Sequence, residues 1–498
     1  MSNINFSTFH NVIAGTLRSS NRLGHGINPS TRKPLWPVPL SSSEDLEIAV
    51  TAASTAFTSW SSTPWAQRQA SLKQARDILH THRAEMAEII SFEGGKPPLF
   101  AQLEVAHAMD FLDFYASQPS FEPEIIQDTP DLRLTLTHEP LGTVGAIIPW
   151  NFPLVLAIGK LAPALLAGNC VIAKPSPFTP YSLLKFAELV LPVFPASVLQ
   201  TLHGDDALGP NMCEHPGITK ISFTGSTATG KKIMAAASKT LKDVTLELGG
   251  NSASVVCADV DVGVVAREVA LGSFFNSGQL CVASKRVYVH QDIYEEFLCT
   301  MVDIVKGWKV GAPREDGVIL GPLQNEMQYN VVRVCTWGEQ PVVGDTNGEG
   351  GFFLHPAIVD NPPDDSLVVR GRLLVCHTLT LLLVLPSIMD KLMTSLGPIV
   401  PVLSWSNEDE LLARVNDTST GLGGAVWSAN EDRAQRIAAR IEAGTIWINS
   451  FEKPLPQAYL AGHKESGFGG EWGRKGLMAY CKPKMVHYYK CTVSGSRL

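Results

Sequence analysis

The chain has 498 residues, of which 45% are hydrophobic, and this is ample for several domains with large cores. Its formal net charge of −8 argues against nucleic acid or an anionic membrane as a general partner. Nine cysteines and thirteen histidines show none of the short paired spacings of a disulfide framework or a zinc site. We therefore expect a reducing compartment and no metal.

Apolar strand-like runs alternate with amphipathic helical stretches, which predicts a parallel α/β architecture. Residues 1–14 have neither a basic start nor a long apolar run, so we do not expect a secretory signal. Residues 125–138 alternate apolar and polar side chains from Leu132 onward, as a half-exposed strand does. Helical stretches are predicted over residues 43–58, 66–93 and 181–193.

Three apolar runs end in residues suited to ligand binding. Residues 149–153, Pro-Trp-Asn-Phe-Pro, use two prolines to form a turn with Asn151 at its tip, where the amide could donate to an oxyanion. The apolar residues 171–173 are followed by Lys174, as expected where a parallel strand delivers a side chain to a ligand. Residues 221–226, Ile-Ser-Phe-Thr-Gly-Ser, lead from a strand into a helix start.

Cys281 and Glu247 have the residue types of a nucleophile and a base. Cys281 lies in a loop of small residues, and Glu247 precedes it in the sequence Thr-Leu-Glu-Leu-Gly-Gly. A thiol attacks carbonyl carbon as the thiolate, and a carboxylate can later activate the water that hydrolyses a thioester. Taken alone, Cys281 is weak evidence for a nucleophile, and a small buried core residue is the favoured interpretation.

In chain order, Pro-Trp-Asn, Lys-Pro-Ser, Phe-Thr-Gly-Ser, Glu-Leu-Gly-Gly and Gly-Gln-x-Cys resemble the motif series of the aldehyde dehydrogenase superfamily, from about residue 25 to about residue 490. The resemblance implies an α/β fold of the aldehyde dehydrogenase type, with a Rossmann-type cofactor domain, an α/β catalytic domain and a small β bridging element. The implied boundaries are 1–120 with 140–247, then 248–450, then 121–139 with 475–498. The bridging element implies a homodimer or homotetramer.

The resemblance also implies roles for individual residues. Cys281 would be the nucleophile, Glu247 the general base, and Asn151 with the Cys281 backbone N–H the oxyanion hole. The cofactor, NAD or NADP with NAD favoured, would contact Trp150, Lys174, Ser176, Pro177, Gly225, Ser226 and Leu248. The substrate and water path would involve Phe152, Gly159, Leu460 and Glu471. Acylating relatives usually lack the glutamate, so its presence favours a carboxylic acid as product.

Predictions of substrate and cofactor preference rest on positions at which this sequence differs from other members of the family. Gly159 and Leu460 occupy places where relatives that prefer small aldehydes often have aromatic rings. A tunnel walled by Phe152 could then admit a medium or bulky aldehyde, unless neighbouring side chains fill the gap. Pro177 stands where NAD-specific members have a glutamate that binds the ribose 2′-hydroxyl. The sequence therefore does not exclude NADP as the cofactor. The resemblance is to fungal members, for which specialised metabolism is one interpretation.

Residues 371–396 form an apolar insertion relative to the family. Gly397 and Pro398 survive from a Glu-x-Phe-Gly-Pro motif, but Thr394-Ser395-Leu396 replaces its first part, and with it the glutamate for the nicotinamide ribose. We interpret the insertion as a gene-model fault such as a retained intron, with a membrane hairpin as the alternative. A catalytically impaired relative is accordingly the alternative function.

Two rival functions and one targeting signal complete the sequence-based predictions. Residues 225–232 nearly form the phosphate loop of an ATPase, but Lys232 replaces the magnesium-binding hydroxyl. A cysteine acyltransferase without nicotinamide is disfavoured because no histidine accompanies the motifs. Residues 496–498, Ser-Arg-Leu, are close to a peroxisomal address, so we predict a cytoplasmic location with peroxisomal import as the alternative.

Overall fold

Fifteen α-helices are found in the part of the chain that the computed structural model describes, namely residues 5–335, 350–370, 396–451, 453 and 455–490. They are α1 Ser43–Trp60, α2 Trp65–Thr81, α3 Arg83–Gly94, α4 Pro98–Ser117, α5 Val155–Ala167, α6 Tyr181–Leu189, α7 Leu208–Glu214, α8 Thr227–Ala237, α9 Val262–Phe274, α10 Tyr294–Lys306, α11 Glu326–Cys335, α12 Leu367–Arg370, α13 Glu408–Asn416, α14 Glu431–Ala438 and α15 Gly473–Met478. Two short 3-10 helices cover Phe275–Gly278 and Gln291–Ile293.

Local sequence signals explain where some helices begin. Ser42 and Asp45 cap α1 reciprocally, each side chain accepting from the other residue's backbone N–H. Helices α1 and α6 begin at the predicted residues 43 and 181. The single helical stretch predicted over residues 66–93 is wrong, because the backbone of His82 leaves the helical region and separates α2 from α3.

The strands, in chain order, are β1 Asn11–Ile13, β2 Thr16–Arg18, β3 Leu23–Ile27, β4 Pro34–Pro39, β5 Glu124–Asp128, β6 Leu132–Pro140, β7 Thr143–Ile147, β8 Cys170–Lys174, β9 Leu199–Thr201, β10 Lys220–Thr224, β11 Asp243–Glu247, β12 Ala253–Val256, β13 Arg286–His290, β14 Lys309–Val310, β15 Val318–Leu320, β16 Ala357–Asp360, β17 Ile399–Trp405, β18 Thr420–Gly421, β19 Gly423–Trp427, β20 Thr445–Ile448, β21 His463–Lys464, β22 Gly467–Phe468 and β23 Cys481–Tyr489.

The first large sheet has the strand order β2-β1-β9-β8-β7-β10-β11-β22. Strands β9, β8, β7, β10 and β11 are parallel, and they have the order 3-2-1-4-5 of a dinucleotide-binding sheet. The order reverses between β7 and β10. In such sheets ligands bind beyond the carboxyl ends of the strands at the point of reversal.

The second large sheet has the order β16-β17-β13-β12-β19-β20, and all its pairings are parallel. The chain passes from the first sheet to the second through residues 248–252, between β11 and β12. Parallel strands of this kind are buried on both faces, which explains why strands such as β8 and β17 are nearly continuous apolar runs. The predicted parallel α/β architecture is confirmed.

A small antiparallel sheet has the order β23-β6-β5, with Cys481 opposite Pro140 and Tyr489 opposite Leu132. This pairing confirms the predicted strand from Leu132 and its C-terminal partner. Among the described residues, no helix has the length and apolar character needed to cross a bilayer. The residues 371–395 and 496–498, to which the predictions of an insertion and a peroxisomal address refer, lie outside the described part of the chain.

Candidate active site

The predicted motif residues gather at the carboxyl edge of the first sheet. Trp150 and Asn151 follow β7, and Gly225 and Ser226 follow β10, so the two motifs flank the point where the strand order reverses. Lys174 ends β8, and Glu247 ends β11. Four motifs that are distant in sequence therefore share one edge, as their positions after apolar runs predicted.

The loop before Cys281 has an unusual backbone. Asn276, Ser277 and Gly278 have φ values of 51°, 57° and 70°, in the left-handed region that residues other than glycine rarely occupy. A Cβ at Gly278 would lie 2.2 Å from the carbonyl oxygen of Gly397, so only glycine fits there. The Ser277 hydroxyl donates to the carbonyl of Gly321 at 2.7 Å, which helps to hold this conformation.

Asn151 contacts this loop directly. Its side-chain amide is buried and donates to the carbonyl of Gln279 at 3.1 Å. The Asn276 amide donates in turn to the Asn151 carbonyl at 3.4 Å. Because an amide nitrogen has two protons, the contact to Gln279 leaves a second N–H on Asn151. Asn151 thus contacts Gln279, which is two positions before Cys281 in the chain.

Cys281 is half-buried at the border of an apolar cluster. The cluster consists of Leu280, Val282, Ala283 and Leu422, with Phe152, Phe275 and Trp447 packed against it. The rings of Phe152 and Phe275 are nearly parallel, at 9°, with centroids 6.3 Å apart. A carbonyl compound next to Cys281 would therefore meet an apolar, aromatic wall that includes the predicted Phe152.

Glu247 is a buried carboxyl group, and neither of its oxygens has a hydrogen-bond partner among the described residues. Burial, and next the negative charge of Glu471, raise the pKa of Glu247 well above its usual value, while Lys160 opposes this. The linker that follows also reaches the nucleophile loop, because a Cβ at Gly250 would lie 2.7 Å from the Cys281 carbonyl oxygen. Glu247 is thus a carboxyl group held away from bulk water, with a raised affinity for a proton.

Glu471 is part of a buried polar network. Its Oε1 forms an ion pair with the ammonium of Lys160 and accepts from the Ser222 hydroxyl at 2.6 Å. The Tyr480 hydroxyl donates to Ser222 Oγ at 3.3 Å. Sequence reasoning found Glu471 but missed Lys160 and Ser222. A lone cation inside the otherwise apolar helix α5 is the signal that could have identified Lys160.

The predicted substrate residues Gly159 and Leu460 both adjoin this network: Gly159 precedes Lys160, and Leu460 bonds to Glu471. A Cβ at Gly159 would come within 2.8 Å of the Trp472 indole nitrogen, so that indole occupies the space that a larger side chain would take. This favours the alternative that a neighbour fills the gap. Leu460 is buried, and its backbone exchanges two hydrogen bonds with Glu471, at 2.9 and 2.8 Å.

The predicted cofactor residues present an anion-binding helix end and a cation. Ser226 caps the N-terminus of α8 by accepting from the Thr229 N–H at 3.2 Å. A Cβ at Gly225 would lie 2.3 Å from the Phe223 ring, so the chain needs glycine to turn from β10 into α8. Helix N-termini of this kind bind phosphate groups through their free N–H donors and dipole.

Lys174 lies nearby on β8 with its side chain largely buried. Among the described residues its ammonium makes one hydrogen bond, a long one of 3.5 Å to the Pro175 carbonyl, so it retains the capacity to bind hydroxyl groups. Burial lowers the pKa of Lys174, and Asp206 is the main group that opposes this. Ser176 accepts from the Phe178 N–H, and Pro177 is exposed. Together with the α8 terminus, these residues fit a dinucleotide.

Leu248 completes the cofactor side. It is buried, and its side chain would lie 2.6 Å from a Cβ at Gly230 of α8. Its backbone N–H donates to the Ser466 carbonyl at 2.8 Å. The contact holds the start of α8 close to the linker that follows Glu247. The Leu248 side chain therefore joins α8 to the linker that follows the candidate base.

Comparisons with known proteins agree with this site. The model of the aldehyde dehydrogenase family matches residues 17–372 and 392–486. The chain is 41% identical over 495 residues to FUS7 of Gibberella moniliformis and 38% identical over 496 residues to the aldehyde dehydrogenase LUC3 of a Fusarium species. Both alignments cover 98% of this chain and 100% of the relative. The NAD+ complex of an aldehyde dehydrogenase from Bacillus cereus is similar at a TM-score of 0.90, with 31% identity and 97% of each chain covered.

The fold and these comparisons define an NAD(P)-dependent oxidoreductase. The chain belongs to the aldehyde dehydrogenase family. The family match is interrupted between residues 372 and 392, which lies within the apolar segment 371–396 that departs from the family motif.

Proposed function

We propose that this chain oxidises an uncharged, largely apolar aldehyde to the corresponding carboxylic acid through a covalent intermediate on Cys281. One observation carries the proposal. The Glu247 carboxyl group is buried without a hydrogen-bond partner among the described residues, and Gly250, three residues further along the chain, packs on the Cys281 carbonyl oxygen. A carboxyl group left unsatisfied in this way is costly, and activation of water gives it a use.

The first half of the reaction forms a bond between Cys281 and the aldehyde. The thiolate attacks the carbonyl carbon, and the C=O electron pair moves to oxygen. The second N–H of Asn151 and the backbone N–H of Cys281 stabilise this oxyanion, and each such donor in a dry site contributes about 3 to 4 kcal/mol. As the oxyanion electrons re-form the C=O bond, the hydride lost from this carbon would pass to NAD(P)+, which Lys174 and the N-terminus of α8 would hold. Cys281 then carries a thioester.

The second half of the reaction releases the acid. Glu247 takes a proton from water while the water oxygen attacks the thioester carbon, and the C–S bond breaks to return the Cys281 thiolate. The proton on Glu247 then has to leave a buried site. The adjacent Lys160–Glu471 ion pair and Ser222 supply ionisable and hydroxyl groups along which it can move.

The wall around Cys281 supports an apolar substrate. The apolar cluster bordering Cys281 contributes Leu280, Val282 and Leu422, and Phe152 and Phe275 present parallel rings. Because Trp472 occupies the space next to Gly159, we propose that room for a medium or bulky aldehyde comes from the Phe152 side of the pocket. Leu460 and Glu471 are proposed to bound the water path.

We propose NAD as the preferred cofactor, with NADP as the alternative. The Lys174 ammonium has two carboxylates in its surroundings, Asp206 and Asp205, and a ribose 2′-phosphate would add further negative charge there. Calorimetric titration of the protein with NAD and with NADP measures this preference directly. Tighter binding of NADP would contradict it.

We propose a homodimer or homotetramer that assembles through the small sheet. Ile125, Ile126, Met485, Val486 and Tyr488 expose large apolar side chains on its strands β5 and β23. An unpaired, apolar antiparallel edge is a liability for a monomer, and a second copy would cover it. The cytoplasmic or peroxisomal location and the role in specialised metabolism stay predictions.

Absorbance at 340 nm tests the proposed function. The purified chain is mixed with NAD or NADP and a panel of aliphatic and aromatic aldehydes, beside the variant Cys281→Ala. We expect formation of reduced cofactor that depends on Cys281, with stoichiometric carboxylic acid. Acyl transfer without any need for nicotinamide would support a cysteine acyltransferase and refute the proposal.

A catalytically impaired relative is the second candidate, favoured by a specific contact. Gly397, which immediately follows the segment 371–396, packs on Gly278 and accepts from the Lys285 ammonium at 3.3 Å. The altered segment therefore rejoins the chain next to the nucleophile loop. A shortened chain lacking residues 371–396 tests this candidate, because turnover by the shortened chain alone would mean that the segment silences the enzyme.

A further inference from the structure

A buried lysine lies directly behind the aromatic wall of the aldehyde pocket. Lys96 is 1% exposed, and its ammonium nitrogen is 3.8 Å from the centroid of the Phe152 ring. The face of an aromatic ring carries partial negative charge, so an ammonium without water is attracted to it. Lys96 therefore restrains the orientation of a ring that packs against the Cys281 cluster.

The same ammonium connects the ring to a helix start. Lys96 forms an ion pair with Oε2 of the buried Glu104 on α4. The other oxygen, Oε1, accepts from the backbone N–H groups of Leu154 at 2.9 Å and Val155 at 3.4 Å. These groups begin α5, directly after the turn that bears Asn151 and Phe152. A carboxylate at this position satisfies free N–H donors and the helix dipole.

The backbone on the other side of Lys96 has little freedom. Gly95 has a φ of 72°, and a Cβ there would lie 2.7 Å from Pro322 and 2.8 Å from Pro29. The lysine thus extends from a fixed turn. Glu93 lies nearby, but its carboxyl group accepts from the N–H groups of Tyr181 and Ser182 at the start of α6. Glu104 is therefore the carboxylate that pairs with Lys96.

We propose that Lys96 and Glu104 are positioning residues. They fix the orientation of the Phe152 ring, and the ring in turn holds the aldehyde where Cys281 can attack it. Neither residue contacts the reacting atoms. The inference rests on the proposed function, because it assigns Phe152 to the aldehyde pocket. Its consequence is that the ion pair affects aldehyde recognition and leaves cofactor binding unchanged.

The test replaces both partners together. Removing one partner would leave an uncompensated buried charge and could unfold the chain, whereas Lys96→Met with Glu104→Gln keeps the pair neutral and similar in shape. The double variant is made in the natural chain and in a Phe152→Leu background. The measurements are kcat/KM for benzaldehyde and the dissociation constant of NAD by calorimetry.

We expect kcat/KM to fall about tenfold in the natural background, the scale of a desolvated ammonium–ring contact, and less than twofold with Phe152→Leu. NAD affinity should not change. The matched control is Lys185→Met with Glu188→Gln on α6, an ion pair whose lysine is buried and whose ammonium lies 5.1 Å from the Phe9 ring. It should have no effect on kcat/KM. Equal losses in both backgrounds would overturn the inference, since the pair would then act on the fold rather than through Phe152.

A second readout does not depend on turnover. Mass spectrometry gives the rates at which benzyl bromide and iodoacetamide alkylate Cys281, and their ratio cancels differences in thiolate reactivity. We expect the double variant to lower this ratio about tenfold only where Phe152 is present. A chain that is alkylated as expected but oxidises no aldehyde contradicts the proposed function alone. An unchanged ratio overturns the inference alone.

Discussion

Replacement of the buried carboxyl group by its amide, Glu247→Gln, separates the two halves of the proposed reaction. The Glu247 oxygens have no hydrogen-bond partner among the described residues, so the change removes no stabilising contact. It also removes a repulsion from Glu471 that exceeds the attraction to Lys160. We therefore expect a folded variant with an unfolding temperature equal to or above that of the natural chain.

The catalytic consequence should be confined to hydrolysis. Loss of a positioned general base lowers a rate by about 10²- to 10⁴-fold. Formation of the Cys281 thioester does not require Glu247, so rapid mixing at 340 nm should show a burst of about one reduced cofactor per active site before the slow phase. Cys281→Ala should abolish the burst and the slow phase together.

The pH dependence gives an independent check. Because burial and Glu471 raise the pKa of Glu247, more carboxylate forms as pH increases, and hydrolysis by the natural chain should accelerate from neutral to alkaline pH. Glu247→Gln should lose this acceleration. A variant whose burst falls in proportion to its steady rate, or whose steady rate stays within threefold of the natural chain, would refute the assignment.

Three further predictions concern separate parts of the molecule. Asn151→Ala should lower kcat by about 10²- to 10³-fold with unchanged NAD affinity by calorimetry, and a loss below threefold would exclude Asn151 from the oxyanion hole. Burial raises the pKa of Glu93 to about 8. The stability that Glu93 contributes is therefore complete below its pKa in the unfolded chain and is lost as pH rises through about 8. The loss amounts to at most about 5 kcal/mol in the free energy of unfolding. Glu93→Gln should therefore flatten the fall in unfolding temperature between pH 5.5 and 8.5, about the range of that loss, and an unchanged slope would contradict this. Val486→Asp should reduce the mass of the particle measured by light scattering, whereas Leu241→Asp, at another exposed apolar site, should not. Equal masses for the two variants would show that the small sheet is not part of the subunit interface.

Local sequence signals predicted much of the fold and identified the catalytic candidates. Strand-like runs that end in Pro-Trp-Asn, Lys-Pro-Ser and Phe-Thr-Gly-Ser predicted a parallel sheet with ligand residues at its carboxyl edge, and the sheet confirms this geometry. The capping pair Ser42 and Asp45 explains why α1 begins at Ser43. The break at His82 had no such signal, because neither proline nor glycine accompanies it.

Residue types and their spacing determined which atoms of this chain can react, because a thiol, a carboxyl group and an amide keep their chemistry wherever they lie. Only the tertiary structure decided what surrounds those atoms. Lys160 and Ser222 meet Glu471 across 311 and 249 residues of sequence, and Trp472 fills the space beside Gly159. The Lys96 ammonium lies behind Phe152 for the same reason. Such contacts are set by how helices and sheets pack, and packing is a property of the whole chain rather than of any motif within it.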